Sequence, residues 1–445
     1  MKGKESIISP VRHIRGGVLL PHLKSTADLE TVVMPPPAVV RIPMCQHIGA
    51  PAVSVVNKGD RVYVGTLIGE SGGYVSAPVH SSVSGTVKSV EDYSTGGQSC
   101  KCIVIESDGL MENDPSLSPF EVKTREDLAK AADCCGLVGL GGAGFPAKVK
   151  LSPPDDKPID TLIINGAECE PYITSDYRVC IENYEDVVEG VYLLKKTLGI
   201  PNVIICIESN KQKAIYKLYA IASDRRDSLD TVKLMKLPTS YPQGAEKVIV
   251  YSATGRRVPA GKLPADVGCI VMNITSVASL YRFVTTGMPL VSKRVTVDGT
   301  AVNEPKNIMV PIGASVKDVL EFAGGVAEDA SEIIFGGPMM GVDAVNGDAV
   351  VEKRTNAITV MRGELKPPQT TPCIRCGRCA AGCPMRLYPA SVEAAVNHGF
   401  TERLEKLNVD YCMECGCCSY VCPAKRPLTQ VMRLAKEELR RNKKK

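Results

Sequence analysis

The chain has 445 residues, a formal net charge of +4 and 44% hydrophobic residues. That length suits three or four domains with real cores, and the charge is too small to point to nucleic acid as a partner. No stretch approaches the ~18 apolar residues that a membrane span needs, and Met1 to Arg15 lacks the apolar segment of a signal peptide, so any membrane association is expected to run through a partner.

Residues 1–37 read as an extended N-terminal segment ending at Met34-Pro35-Pro36-Pro37. From Ala38 to Glu106, short apolar alternations are broken by turns at Lys58-Gly59-Asp60 and Ser84-Gly85-Thr86. This region, taken as 38–115, resembles the biotinyl/lipoyl barrel-sandwich fold, with halves at Val53–Glu70 and Tyr74–Val90. The hairpin Glu70-Ser71-Gly72-Gly73-Tyr74 between them has no Lys to carry a modification, so a docking module is expected, not a carrier.

Residues 116–291 alternate helix and strand patterns and read as an α/β domain. Arg125 to Cys134 and Asp186 to Leu198 have helical spacing, the second stopped at Gly199. Ile159 to Ile164 and Val203 to Ile207 read as buried strands, as do Val248 to Tyr251 and Ile270 to Ile274. In 292–350, Arg294 to Thr300 reads as a strand entering a tight turn. Ser315 to Phe322 is a short helix stopped by Gly324-Gly325, and together these suggest a β-grasp unit. Lys366-Pro367-Pro368 links to a module at 366–435, in which Ser391–Asn397 and Thr401–Leu407 carry apolar residues at helical spacing. A basic tail, 436–445, reads as a solvated end. The fold class is therefore multidomain α/β: β barrel-sandwich, α/β domain, β-grasp and a helical C-terminal module.

That last module contains Cys373-x2-Cys376-x2-Cys379-x3-Cys383-Pro384 and Cys412-x2-Cys415-x2-Cys418-x3-Cys422-Pro423. Thiolates are soft ligands for iron–sulfur clusters. Two such runs make the pattern of a two-cluster ferredoxin, in which three cysteines of one run and the fourth of the other hold each 4Fe–4S cluster. Zinc is the alternative for a single run. Ten other cysteines stand at 45, 100, 102, 134, 135, 169, 180, 206, 269 and 417. They read as unpaired, mostly buried thiols, which favours a reducing cytoplasm. Cys417 breaks the spacing of the second run and reads as a bystander.

Gly139-Leu140-Gly141-Gly142-Ala143-Gly144-Phe145-Pro146 contains a formal G-x-G-x-x-G. A dinucleotide fingerprint follows a strand and opens a helix. Here a helical segment precedes the loop and the strand comes after it, so that pattern is not met. Side-chain-free backbone can still bring N–H groups to a phosphate, and a glycine turn without a ligand is the alternative. Downstream, Leu162-Ile163-Ile164-Asn165-Gly166-Ala167-Glu168-Cys169-Glu170-Pro171 is a strand ending in amide and carboxylate groups.

Together with Gly136–Lys150, this segment resembles the flavin- and NADH-binding subunit of respiratory complex I. The resemblance implies FMN contacts from Gly139, Gly141, Gly142, Ala143 and Gly144, with Phe145 near the adenine. It puts the phosphate-binding Lys at Lys150, the flavin-contacting Asn at Asn165 and the acidic residues at Glu168 and Glu170, orienting the nicotinamide and its ribose. Two positions depart from that family: its loop Arg is Leu140 and an Asp is Ala167.

The whole chain, from about Gly16 to Pro423, is similar to the RnfC (RsxC) family of Rnf electron-transport complexes. The shared features include Tyr241-Pro242-Gln243-Gly244-Ala245-Glu246-Lys247. By that resemblance Gly244, Glu246 and Asn273 lie around the flavin or nicotinamide. The resemblance implies FMN, NAD(H) and two 4Fe–4S clusters as cofactors. It also implies a ferredoxin:NAD oxidoreductase in which the other Rnf subunits couple electron flow to Na+ or H+ transport. Its place would be peripheral, on the cytoplasmic side of the plasma membrane, with ferredoxin as indirect donor. The flavin would carry the chemistry, so no catalytic acid or nucleophile is expected. A soluble cobalamin reductase of the propanediol-utilisation type shares the flavin loop and cluster pair. Gly16-Gly17-Val18-Leu19-Leu20-Pro21 and the sandwich favour the first reading. A scaffold that only wires clusters together is the third.

Overall fold

Strands in a parallel sheet are covered on both faces and read as unbroken apolar runs. Leu162, Ile163 and Ile164 behave this way: all three are fully buried, Leu162 and Ile164 in the larger core and Ile163 in a smaller core on the opposite face. The computed structural model describes residues 7–95, 98–224, 232–344, 349–363 and 368–443. Lys366 and Pro367 of the expected linker, and Lys444 and Lys445 of the basic tail, lie outside them.

The central sheet is parallel throughout, in the order Ile7–Ile8, Val232–Leu237, Asn202–Glu208, Thr161–Gly166, Cys269–Asn273. Helix Tyr184–Leu198 buries Val187, Val188, Val191 and Leu194 and stops at Gly199, whose φ of 63° is the left-handed cap that glycine tolerates best. Asn165 pairs in register with Cys206 on one side and Asn273 on the other, so polar side chains gather at the carboxyl ends of neighbouring strands.

One expected strand is a helix. Val248 to Tyr251 lies within Glu246–Thr254, capped by a left-handed Gly255. A short apolar run has the same pattern in a buried strand and in a buried helix. Here Val248, Ile249, Val250 and Ala253 are all buried, the last three in the smaller core.

The β-grasp unit has a six-stranded sheet, in the order Val342–Asp343, Ala330–Phe335, Ala357–Arg362, Ser292–Gly299, Lys306–Pro311, Thr31–Val33. Helix Val316–Phe322 is capped by the Ser315 hydroxyl. The N-terminal segment thus adds an edge strand to two sheets, Ile7–Ile8 to one and Thr31–Val33 to the other. The barrel-sandwich pairs a four-stranded sheet, Val39–Pro43, Gln98–Ser107, Gly85–Thr95 and Arg61–Val62, with a three-stranded one, Val53–Ser54, Leu67–Glu70 and Val79–His80. Within it Cys45 and Cys100, expected as free thiols, form a disulfide with Cα atoms 5.9 Å apart. Their separation along the chain carries no hint of this, since only the sheet brings them together. The C-terminal module packs Pro389–Asn397, Thr401–Lys406 and Leu428–Lys443 around Val392, Leu404, Val409 and Met432. Among the described residues no helix is long and apolar enough to cross a membrane.

Candidate functional site

The glycine loop is closed at its base. Gly139 N–H donates to Phe145 C=O at 2.9 Å, Ala147 N–H donates to Leu137 C=O at 2.9 Å, and Val138 bridges Pro146. Leu140 is turned into the core and fully buried, while Gly141, Gly142 and Ala143 are exposed. The amides of those three residues find no acceptor among the described residues. A Cβ on Gly142 would meet nothing within 4 Å, whereas one on Gly141 would collide with the Asn273 side-chain amide. The loop therefore leaves room for a group on its outer side, with several N–H donors free to receive an anion. That fits a phosphate.

The strand ends converge beside it. Asn165 Nδ2 donates to Gly244 C=O at 2.8 Å, and Asn165 Oδ1 accepts from Ala167 N–H. Asn273 Oδ1 caps helix Ile274–Thr286, and its Nδ2 donates to Asp176 Oδ2 at 2.7 Å. Lys150 Nζ lies 2.6 Å from Glu246 Oε1 and also reaches the Val271 carbonyl. The fold thus brings together Gly141, Lys150, Asn165, Gly244, Glu246 and Asn273. Gly244 must be glycine for this approach, because a Cβ would sit 2.5 Å from the Ala167 carbonyl.

Glu168 and Glu170, expected to orient the nicotinamide and its ribose, make contacts within the protein. The Glu168 carboxylate is buried and accepts from the amides of Asp176 and Tyr177 at the start of helix Ser175–Glu182, with Lys211 at 3.9 Å. Glu170 accepts from the amides of Met339 and Met340 in the β-grasp unit, and from the Tyr241 phenol at 3.4 Å. Burial pushes both carboxyls upward from their ordinary range. Their oxygens are committed to the protein, because buried carboxylates are stable only when hydrogen-bonded or paired. They shape the loop after the strand. Phe145 is half-buried, and its backbone closes the glycine loop.

Lys24 completes this loop and carried no signal in the sequence. Its Nζ donates to the carbonyls of Glu168, Glu170 and Ile173, at 2.9 Å for the first and 2.6 Å for the second. It comes from the irregular segment before the first domain, where no periodicity marks a contact.

The cysteine runs interleave. Cys383 of the first run, with Cys412, Cys415 and Cys418 of the second, lines one small cavity. Four soft thiol donors gathered around one cavity suit a 4Fe–4S cluster. Cys417, the expected bystander, is fully buried and also lines this cavity. On the other side, Thr371 N–H bonds Ala424 C=O, and the Arg426 guanidinium donates to the Thr371 carbonyl at 3.0 Å. That brings the fourth cysteine of the second run beside the first. Cys373 and Cys376 are exposed.

The two halves of the site meet at Tyr241. Its phenol donates to the Cys415 carbonyl at 2.7 Å, and its backbone exchanges two 2.9 Å hydrogen bonds with Val18. Val18, Tyr241, Cys415 and Cys417 form a small shared core with Met339 against it. Gly17 N–H bonds Gly382 C=O, and a Cβ on Gly16 would lie 2.6 Å from the Cys383 carbonyl. The cavity-forming cysteines are thereby fixed against the loop that follows Asn165.

Family models match in the same order along the chain: an RnfC barrel sandwich hybrid domain over residues 12–110, a Nuo51 FMN-binding domain over 133–282, an SLBB domain over 294–343 and a 4Fe-4S dicluster domain over 368–423. The fold and site define a multidomain electron-transfer protein with one flavin domain and a dicluster iron–sulfur module. Whole-chain relatives narrow this further. The C subunit of the proton-translocating ferredoxin:NAD(+) oxidoreductase complex of Clostridium ljungdahlii is 41% identical over 97% of this chain and 94% of its own length. Its Na(+)-translocating counterpart in Acetobacterium woodii is 40% identical over 96% and 98%. The C subunit of the ion-translocating oxidoreductase complex of Rhodobacter capsulatus is 39% identical over 96% and 83%. The chain belongs to the RnfC family, the C subunits of ion-translocating ferredoxin:NAD(+) oxidoreductase complexes.

Proposed function

We propose that this chain is the peripheral NAD(H)-handling component of a membrane-bound Rnf complex. It passes electrons between ferredoxin-derived 4Fe–4S clusters, FMN and NAD, while the other Rnf subunits couple that flow to Na+ or H+ translocation. It sits on the cytoplasmic face, held by those partners. FMN, when bound, supplies the exchange between a hydride pair and the single electrons that a cluster takes.

The residues of this chain do the holding. The amides of Gly141, Gly142 and Ala143 receive the FMN phosphate, with Lys150 beside them. Asn165, Gly244, Glu246 and Asn273 border the ring and the nicotinamide. Glu168 and Glu170, braced by Lys24, keep the intervening loop in shape. Cys383, Cys412, Cys415 and Cys418 hold the cluster nearer the flavin; Cys373, Cys376, Cys379 and Cys422 hold the outer, exposed one. The observation that carries this reading is the 2.7 Å bond from Tyr241 to Cys415, which ties the flavin side of the protein to a cluster ligand.

The test is NADH addition to anaerobically purified protein, followed by electron paramagnetic resonance. Reduced-cluster signals are expected only from FMN-loaded protein. Clusters that stay oxidised in protein containing both FMN and full iron would overturn the reading.

A further inference from the structure

Among the described residues, Lys148, Lys150, Arg354 and Lys293 lie near the glycine loop, and the first three already have a carboxylate partner. Lys148 lies 2.8 Å from Asp133, Lys150 2.6 Å from Glu246 and Arg354 2.8 Å from Glu352. The fourth is Lys293, on strand Ser292–Gly299 of the neighbouring β-grasp unit. Its side chain is fully buried, yet among the described residues it has no carboxylate within 4.0 Å. Its one hydrogen bond among them goes to the Leu140 carbonyl at 3.3 Å. Asp176 and Glu168 favour its charged form only from beyond ion-pair distance. Their oxygens are engaged elsewhere, Asp176 by Asn273 and Thr275, and Glu168 by the Asp176 amide. An ammonium has three donors, and leaving it buried with a single long acceptor is costly unless something else uses the charge.

The geometry of the peptide shows what could use it. Leu140–Gly141 is a trans peptide, so the Leu140 C=O and the Gly141 N–H point in opposite directions. The carbonyl faces inward to Lys293. The N–H faces the exposed side of the loop, where it has no partner among the described residues. Ammonium, peptide dipole and any anion on the outer side then lie in one line, and a fixed cation behind the peptide strengthens the attraction in front of it. We infer that Lys293 is a positioning residue for the bound phosphate: it acts through the Leu140–Gly141 peptide and never touches the ligand. Because Glu246 offsets Lys150, Lys293 contributes the uncompensated positive charge beneath the phosphate. The β-grasp unit thereby takes part in flavin retention. This rests on the reading that the loop receives the FMN phosphate.

The test compares FMN with riboflavin, which lacks the phosphate, by titrating flavin-depleted full-length protein and following fluorescence quenching. For Lys293→Met the expected result is FMN binding weakened on the order of tenfold, as for loss of a bond to a charged group, with riboflavin binding unchanged. Lys353→Met removes another fully buried lysine, one that bonds the Pro78 and Gly136 carbonyls, and is expected to leave the FMN-to-riboflavin ratio as in wild type. Equal losses for both flavins in Lys293→Met, or no loss for either, overturn the inference. If the Met variant fails to fold, Lys293→Arg, which keeps the charge, must retain the preference for FMN, and loss of that preference overturns the inference. Wild-type protein that binds riboflavin as tightly as FMN overturns the phosphate-loop reading itself.

Discussion

The Tyr241 hydroxyl lies 2.7 Å from the Cys415 carbonyl and 3.4 Å from Glu170 Oε1. One phenol therefore joins a cluster-cysteine backbone to the loop beyond Asn165. Burial and the neighbouring Glu170 raise its pKa well above the ordinary value, so it stays a donor throughout the working pH range. Tyr241→Phe removes the bond while keeping the ring in its apolar core. The expected loss is about 1 kcal/mol of docking between the halves. Rapid-mixing absorbance should show slower cluster reduction by NADH with flavin and iron contents unchanged. Wild-type reduction rates in the variant would refute the bridge.

The cavity joins cysteines from both runs, and this gives a prediction that simple spacing does not. Cys383→Ala and Cys418→Ala are expected to lose the same cluster, while Cys422→Ala loses the other. Iron analysis and electron paramagnetic resonance on the three variants check this. Different signals missing in Cys383→Ala and Cys418→Ala would mean that each run holds its own cluster.

Neighbouring glycines should fail for different reasons. A side chain on Gly142 has open space around it, so Gly142→Val is expected to fold normally and lose flavin, because the branched side chain fills the place of the phosphate. Gly141→Ala drives its methyl into Asn273 and breaks the bond to Asp176. It is expected to cost roughly 1–3 kcal/mol of stability for the displaced buried groups, and so to lower the melting temperature as well as flavin content. Thermal melts of flavin-free protein separate the two, and equal melting temperatures would count against the Asn273 collision.

Lys24 gives a pH signature. Burial lowers it to about 8 from its ordinary 10.5. Between those values the unfolded chain binds the proton and the folded chain does not, so this group makes stability rise with pH there. The cost of burying the charge is therefore felt in full below pH 8 and relieved as pH climbs toward 10.5. Lys24→Met should flatten the rise in urea stability between about pH 8 and 10 by up to about 1.4 kcal/mol per pH unit. An unaltered slope would exclude a buried, carbonyl-bound ammonium.

What could be read from the sequence followed from period and spacing. The strands around Ile163 and Ile205, the helix ending at Gly199 and the short helix from Ser315 all announce themselves locally. The cysteine runs carry their chemistry in their spacing. The misreading of Val248–Tyr251 came from a run too short to separate two periods. Lys24, Lys293 and the pair Cys45 and Cys100 were illegible for another reason. Each acts on a partner distant in sequence, often a backbone carbonyl, and a carbonyl has no residue identity to recognise. Glu168 and Glu170 were legible as important but not in their orientation, which depends on amides at Asp176 and Met339 that only the tertiary fold supplies.

The segment from Gly16 to Met34 touches the flavin domain, the β-grasp unit and the cluster module. Gly17 bonds Gly382, Val18 bonds Tyr241, Lys24 bonds Glu168, Ser25 bonds Asp298 and Met34 bonds Met309. Gly17 meets Gly382 only after all the chain between them has been made, on the order of tens of seconds later. Maturation of the wired protein is therefore a closing event: the seam between the flavin and ferredoxin units is sewn by a thread that waits for its last-made partner.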